Sequence, residues 1–429
     1  MDTQGQQPDF KFKAETYVYK VNITVIHLKD EKKNQDLTNY ISDIGLFFKY
    51  LDFNMPVAKI ILTTNRAIAT LLKEEYLNMV FNLTLSISKE EKDSTNQMVS
   101  NSAIYTPIFT SQKLVIINEP ISAPAPKTTQ LNGNYKDSLL NSTVSFELFP
   151  SNAIENQKEL VNDSFGGCSV VDAMASILGE KIHNKVFMQT PHNAKKFSSM
   201  FIPPLGLNKA FAFIQDKYSI YNNGLLFFHD FGEKTWITDR FDRFEGVPKQ
   251  ENTVIFEIYS TQSASHTTNG CYYNKDTKQW HVRTQTEPLV MDLSSQNAIL
   301  EGEEFVIQGT SPEEYSYSQK VVSKNSAKAK ETGKVTKRTT IANSSSAKSS
   351  ATNVVNSLDS SSRYVSFTIS KINPLIFSPI KAYKLAYFNG NKADTRTYVL
   401  SDVTMLFTKI GHERDIFNGH FELILNLEL

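Results

Sequence analysis

Thr16-Tyr17-Val18-Tyr19-Lys20-Val21-Asn22-Ile23-Thr24-Val25-Ile26-His27-Leu28 sets the reading of the whole chain. Tyr17, Tyr19, Val21, Ile23 and Val25 fall on one face, and Lys20, Asn22 and Thr24 fall on the other. Successive side chains of a strand point to opposite sides, so this period of two predicts a strand with one buried face. The same period recurs in Phe81, Leu83, Leu85 and Ile87, in Val144, Phe146 and Leu148, and in Val254, Phe256 and Ile258. It returns at the end, where Phe421, Leu423, Leu425, Leu427 and Leu429 alternate with Glu422, Asn426 and Glu428. Strands with one wet face are typical of antiparallel sheets, whereas a doubly wound parallel sheet shows continuous apolar runs followed by helices. The expectation is therefore a mainly β protein with sandwich or barrel domains.

Between Leu160 and Tyr221 the period changes. Val170, Ala173, Met174, Ile177 and Leu178 follow helical spacing, with Gly179 placed where a helix stops. A second helix is expected after Pro203-Pro204, with Leu207, Phe211, Ile214 and Tyr218 on one face. These two amphipathic helices form an α+β insertion between β segments, without the strand and helix alternation of a parallel sheet.

Composition bounds the function. At 429 residues the chain has room for about two to four domains of roughly 100–200 residues each. Lys plus Arg number 45 and Asp plus Glu number 45, so no global field draws the chain toward nucleic acid or an anionic membrane. The 28 Phe and 18 Tyr against 17 Gly suit broad β surfaces better than glycine-rich cofactor loops. Two cysteines, Cys168 and Cys271, are too few for a disulfide framework. The first fifteen residues lack the apolar stretch of a signal peptide, and no apolar run is long enough to span a bilayer. A soluble protein is expected, with no membrane partner.

Two stretches read as unpacked. A Pro/Ala-rich linker is expected near 119-127, and a flexible Ser/Lys-rich arm from 318 to 362, where eight basic residues face only Glu331 and Asp359. The arm lacks the interleaved aromatics that stack bases, so an assembly or solvent-exposed role is favoured and nucleic acid is not expected as a partner. Asn389-Gly390 and Asn418-Gly419 carry the strongest short hairpin signal. The organisation expected is an N-terminal β-barrel domain at 1-150, the α+β insertion at 151-250, a β segment of a second barrel at 251-317, the arm, and closing barrel strands at 363-429.

No catalytic, cofactor-binding or metal constellation emerges. Cys168 follows Gly166-Gly167 at the start of a predicted helix, where a thiol pKa can fall, yet His183, His192 and His229 sit in no nucleophile signature. His229-Asp230 ends the run Leu225-Leu226-Phe227-Phe228, but adjacent strand residues face opposite ways. His281, His412 and His420 are scattered without zinc spacing. Asp239, Asp242 and Glu245 have the residue types of paired acids for glycoside cleavage, but Arg240 and Arg243 alternate with them, as on an ion-paired turn. No Walker loop or Gly-x-Gly-x-x-Gly is present. No cofactor is expected.

The most informative stretch is Phe201-Ile202-Pro203-Pro204-Leu205-Gly206, followed by Leu207 to Tyr218, then Ser219-Ile220-Tyr221-Asn222-Asn223-Gly224 and Leu225-Leu226-Phe227-Phe228-His229-Asp230-Phe231. It is a Pro-Pro entry, an amphipathic helix, a Tyr-x-x-Tyr corner, a turn and a strand. This unit resembles the baseplate hub proteins of tailed bacteriophages, in which a similar arrangement follows an earlier short helix, matched here by Cys168 to Leu178. Asp52 to Leu62 looks like the hub segment in which a strand follows a Met-Pro element and leads to a helix, here about Asn65 to Glu75. The strands from Thr397 to Leu429 look like the barrel that closes the chain.

The resemblance implies a homotrimer with two antiparallel β-barrel domains per chain, so that six barrels form a pseudo-sixfold ring. Such a ring adapts a sixfold tail tube to a threefold central spike. The tail tube protein, the central spike protein and other baseplate proteins are then the expected partners, and the virion, assembled in a bacterial cytoplasm, the expected location. Another tail-tip or tube-terminating structural protein is the alternative, and a cell-wall hydrolase the enzymatic one.

Overall fold

The computed structural model describes residues 14–50, 55–90, 104–124, 141–182, 185–221, 224–231, 234–240, 253–259, 269–292, 304–310, 316–322, 337–341, 363–387, 396–410 and 416–427. The N-terminal part comprises β1 (Tyr17–His27), β2 (Gln35–Asp36), β3 (Ile41–Lys49), β4 (Val57–Asn65), α1 (Arg66–Glu75), β5 (Met79–Lys89), β6 (Thr106–Ile116), β7 (Ile121–Pro124) and β8 (Asn141–Pro150). The middle section has α2 (Ser151–Lys158), β9 (Leu160–Ser169), α3 (Val170–Lys181), β10 (Lys185–Met188), β11 (Lys196–Gly206), α4 (Leu207–Tyr218), β12 (Leu225–His229) and β13 (Lys234–Asp239). Then come β14 (Thr253–Ile258), β15 (Gly270–Asn274), β16 (Gln279–Thr284), β17 (Leu289–Asp292), β18 (Glu304–Thr310), β19 (Ser316–Val322) and β20 (Lys337–Ile341). The chain closes with β21 (Arg363–Ser370), β22 (Ala382–Tyr387), β23 (Tyr398–Lys409) and β24 (Phe417–Leu427).

The strands predicted from period two are all present, and their apolar faces share one core. Tyr17, Tyr19, Val21, Ile23 and Val25 of β1 meet Phe81, Leu83 and Leu85 of β5 and Phe421, Leu423 and Leu425 of β24. Burying each such side chain contributes roughly 1.5–3 kcal/mol. Pairing runs from β1 to β5, β6, β8, β4, β3, β23 and β24, and β24 returns to β1 where Tyr19 faces Phe417. Every step of this closed eight-strand circuit is antiparallel. The N-terminal strands are thus sealed by the last two of the chain.

From β23 the same sheet continues through β22, β14, β16 and β15, and from β24 it continues through β21 and β17. Here the expectation of purely antiparallel sheets is corrected. β14 pairs in parallel with both β16 and β22, so the large main sheet is mixed. The reason lies in β14 itself: Thr253, Val254, Phe256, Glu257 and Ile258 are all buried, the two-sided burial that parallel strands require. Glu15 forms a bridge to Cys271, and the Tyr17 N–H donates to the Lys371 carbonyl, so the chain entering β1 ties β15 to the residues after β21.

Both predicted helices form. Ser169 caps α3 in a reciprocal box with Asp172, and Gly179 does not stop it: the helix runs to Lys181. Asn65 caps α1 by accepting from the Ile68 N–H at 2.9 Å. In β11, Pro203-Pro204 falls at the register shift between Ile202 and Leu205, where missing N–H donors cost no ladder bond.

Three further expectations change. Asn418-Gly419 is no hairpin turn; both residues pair within the β23–β24 ladder. Gly419 is needed because a Cβ there would run into the Tyr19 ring. The residues expected as a linker include β7, which pairs with β8. Within the expected arm, 318–322 belong to β19 and 337–341 are β20, both flanking β18 in a three-stranded sheet. β-Branched Val321, Val322, Thr339, Thr340 and Ile341 favour that extended state. Asn389-Gly390 lies outside the described residues.

Candidate functional site

The run Leu225-Leu226-Phe227-Phe228-His229 joins two cores. Leu226 and Phe228 of β12 pack into the main core, while Leu225 and Phe227 pack with α3 and α4 in a second core. This is why the run is apolar at successive positions. Where β12 meets the circuit, a cavity of about 420 Å³ opens. Its wall is aromatic: Phe48, Tyr50, Phe109, Phe228, Phe231 and Trp236. Phe231 receives Phe48 and Phe109 edge-on at 5.0 and 4.8 Å, and Phe228 stacks on Trp236 at 6.0 Å. Asp230 is committed to holding this wall, accepting from the Trp236 indole N–H and from the Lys234 backbone N–H, both at 2.9 Å.

A second feature lies on β14, β15 and β16. The buried Glu257 carboxylate accepts from Tyr272 Oη at 2.7 Å, His281 Nδ1 at 2.8 Å and Arg283 Nε at 3.1 Å. The parallel register sets Glu257 opposite Arg283, and the antiparallel one sets Tyr272 opposite His281. Burial alone would raise the Glu257 pKa, but the hydrogen bonds from His281 and Tyr272 and the Arg283 charge outweigh it and hold the carboxyl below its usual value. Burial and the neighbouring carboxylate push Tyr272 up. The sequence reading missed this cluster. Its signal was a lone acid inside Thr253-Val254-Ile255-Phe256-Glu257-Ile258 and a lone base inside Val282-Arg283-Thr284.

The residues weighed from sequence are dispersed. Burial raises the Cys168 thiol, and Asp172 of the capping box raises it further, overriding the lowering expected at a helix start. Its Sγ lies 3.7 Å from the Met200 sulfur. His229 is buried, hydrogen-bonded through Nδ1 to Thr235 Oγ1 at 2.8 Å, and burial lowers its pKa to about 4. His229 and Asp230 therefore face different partners. His192 Nδ1 lies 3.6 Å from the buried Asp239 carboxylate. His281 belongs to the Glu257 cluster, and His420 is exposed on β24. His183, Asp242, Glu245 and His412 lie outside the described residues. Among the described residues, no group of three His, Cys, Asp or Glu side chains is arranged to hold a metal, and no helix is long and apolar enough to cross a membrane.

This architecture, a mixed main sheet with a closed antiparallel circuit and an inserted α+β section with its own core, is similar to that of solved tail proteins. The tail protein from Neisseria meningitidis MC58 is similar with a TM-score of 0.54 at 10% identity, covering 95% of this chain and 96% of that one. A chain of the Francisella PdpA-VgrG complex in its lidded form is similar with a TM-score of 0.51 at 11% identity, covering 98% of this chain but 54% of that one. The lidless PdpA-VgrG complex gives 0.51 at 10% identity, covering 97% of this chain and 66% of that one. A sequence comparison with curated proteins gives no match. The family described as Bacteriophage PBS1 gene 109 protein matches residues 14–413, and the chain belongs to that family. The resemblance to a tailed-phage protein family is thus borne out, and the mainly β character of the fold matches a solved tail protein.

Proposed function

We propose that this protein is a structural component of the phage tail, the baseplate hub, in which three copies form a ring between a sixfold tail tube and a threefold central spike. The observation that carries the reading is the sharing of β23 and β24. These strands close the eight-strand circuit and also continue the sheet toward β14 on one side and β21 on the other. On this reading each chain contributes two β bodies, one from 1-150 and one from 251-317, both completed by 363-429 and joined by the 151-250 section. Two bodies per chain in a trimer make six, the count that matches a sixfold tube to a threefold spike. The tube, spike and neighbouring baseplate proteins are its partners, the virion its location, and no catalytic step is assigned to it.

Mass photometry of the purified chain over a range of concentrations, followed by electron microscopy of the particles, tests this. A threefold ring with sixfold-like density on one face is expected. A strictly monomeric chain that forms no ring with its tube and spike partners overturns it. Clearing of a peptidoglycan zymogram would point to the hydrolase alternative instead.

A further inference from the structure

The three-stranded sheet of the middle section is ordered β10-β13-β12, and its two ends differ. β12 is buried along its whole length between the two cores, whereas Phe187 in β10 is 42% exposed. β10 pairs only with β13, in parallel. The Gln189 N–H, one residue past β10, donates to the Ile237 carbonyl, so by alternation the N–H and C=O groups of Lys185 and Phe187 also face β13. Those of Val186 and Met188 then point to the open side, where no described residue pairs with them. Such an edge is a template for another strand.

One face of this sheet carries a row of rings that ends at the edge. Phe187 lies opposite Trp236 and Trp236 opposite Phe228, with ring centroids 4.9 and 6.0 Å apart. Two residues back on the same face, Lys185 lies opposite Lys234, and both are exposed. Like charges set side by side in a ladder repel. Neither ammonium has an ion pair among the described residues. Asp230 does not serve them, because its carboxylate accepts the Lys234 main-chain N–H and the Trp236 indole N–H. The edge therefore lacks backbone partners for Val186 and Met188, an apolar neighbour for Phe187 and an acid for the lysine pair. A second β10 brings no acid, since its residues are again Lys185, Val186, Phe187 and Met188.

We propose that the open edge of β10 docks an extended segment of a partner protein, added to this sheet as a further strand, with an aromatic or large aliphatic residue beside Phe187 and an Asp or Glu two positions away beside Lys185. The proposal goes beyond the hub reading and does not depend on it: a monomer that takes up the segment supports the edge and leaves the ring to be judged by mass.

The test uses the full chain and short fluorophore-labelled peptides of alternating polar and apolar residues that carry one Phe and one Glu two residues apart, in both orders, read by anisotropy. Saturable binding of one order, with slowed amide exchange at Val186 and Met188, is expected. N-methylation of alternate peptide amides should abolish binding in one phase and spare it in the other, because only every second N–H of an added strand faces β10. Lys185→Glu combined with Lys234→Glu changes two exposed side chains. It should keep the wild-type melting temperature, weaken the Glu peptide by about tenfold or more, and favour a peptide with Lys in place of Glu. No saturable binding by the wild type, the same response to both N-methylation phases, or an unchanged affinity for the Glu peptide in the double variant would each overturn the proposal. So would protection of Val186 and Met188 that rises with protein concentration in the absence of peptide, since that puts a second copy on the edge.

Discussion

The eight-strand circuit and the β14–β16 seam are parts of one sheet held together by opposite chemistry. In the circuit, apolar side chains from β1, β5 and β24 fill a shared interior, and each strand has an antiparallel neighbour on both sides. At the seam, a buried carboxylate gathers a phenol, an imidazole and a guanidinium from neighbouring strands. An apolar core tolerates the loss of one contact in proportion to the volume removed. A buried ion cluster does not, because removing one partner strands a charge in a medium that solvates it poorly. The circuit is thus governed by how much is buried, and the seam by whether every member is present.

The largest effect should come from cutting the circuit. Ending the chain after His420 removes most of β24, the strand that joins β23, β1 and β21, and should abolish soluble expression; a truncated chain that melts cooperatively would break the idea of closure. Phe421→Ala comes next. Phe421 is fully buried with Tyr19, Phe407 and Phe377 at centroid distances of 5.8, 5.9 and 5.4 Å. Its loss should cost about 3–5 kcal/mol in denaturant unfolding.

At the seam, Glu257→Ala should cost a comparable 3 kcal/mol or so, although it removes far less apolar volume. If it costs no more than an exposed substitution, the contrast between the regions fails. The sign of the pH dependence follows from the lowered Glu257 pKa. Its contribution is fully present above the unfolded carboxyl value and is lost as pH falls through the folded one, so Glu257→Gln should flatten the acid limb of the stability curve.

His229 gives a separate pH signal outside the seam. Its pKa is depressed from 6.5 to about 4. The unfolded chain takes up the proton first, so stability falls as pH drops through that window, by about 3 kcal/mol in total, and His229→Asn should remove that slope. The smallest effect is expected from Cys168→Ser, with stability changed by less than about 1 kcal/mol and assembly intact. Loss of a chemical activity in that variant would restore the thiol as a nucleophile.

Much of this was legible in the residues. Strand faces in β1, β5, β8 and β24 follow from alternation, and α4 follows from Leu207, Phe211, Ile214 and Tyr218. What escaped was pairing. Val254, Phe256 and Ile258 look the same whether β14 has antiparallel or parallel neighbours, and the burial of Glu257 became visible only once Arg283 and His281 were beside it. Asn418-Gly419 has the composition of a turn, yet its glycine serves the close approach of the Tyr19 ring.

For β1, β5, β8, β14, β24, α3 and α4 the sequence by itself determined the type of element and its apolar face, because those properties follow from the backbone periods of 2.0 and 3.6 residues. Only the tertiary structure decided that β24 returns to β1, that β12 is buried on both sides, that β14 runs parallel to its neighbours, and that Glu257, Tyr272, His281 and Arg283 meet. Each of these depends on contacts between residues far apart in the chain, and a local period carries no information about which distant strand will supply the partner.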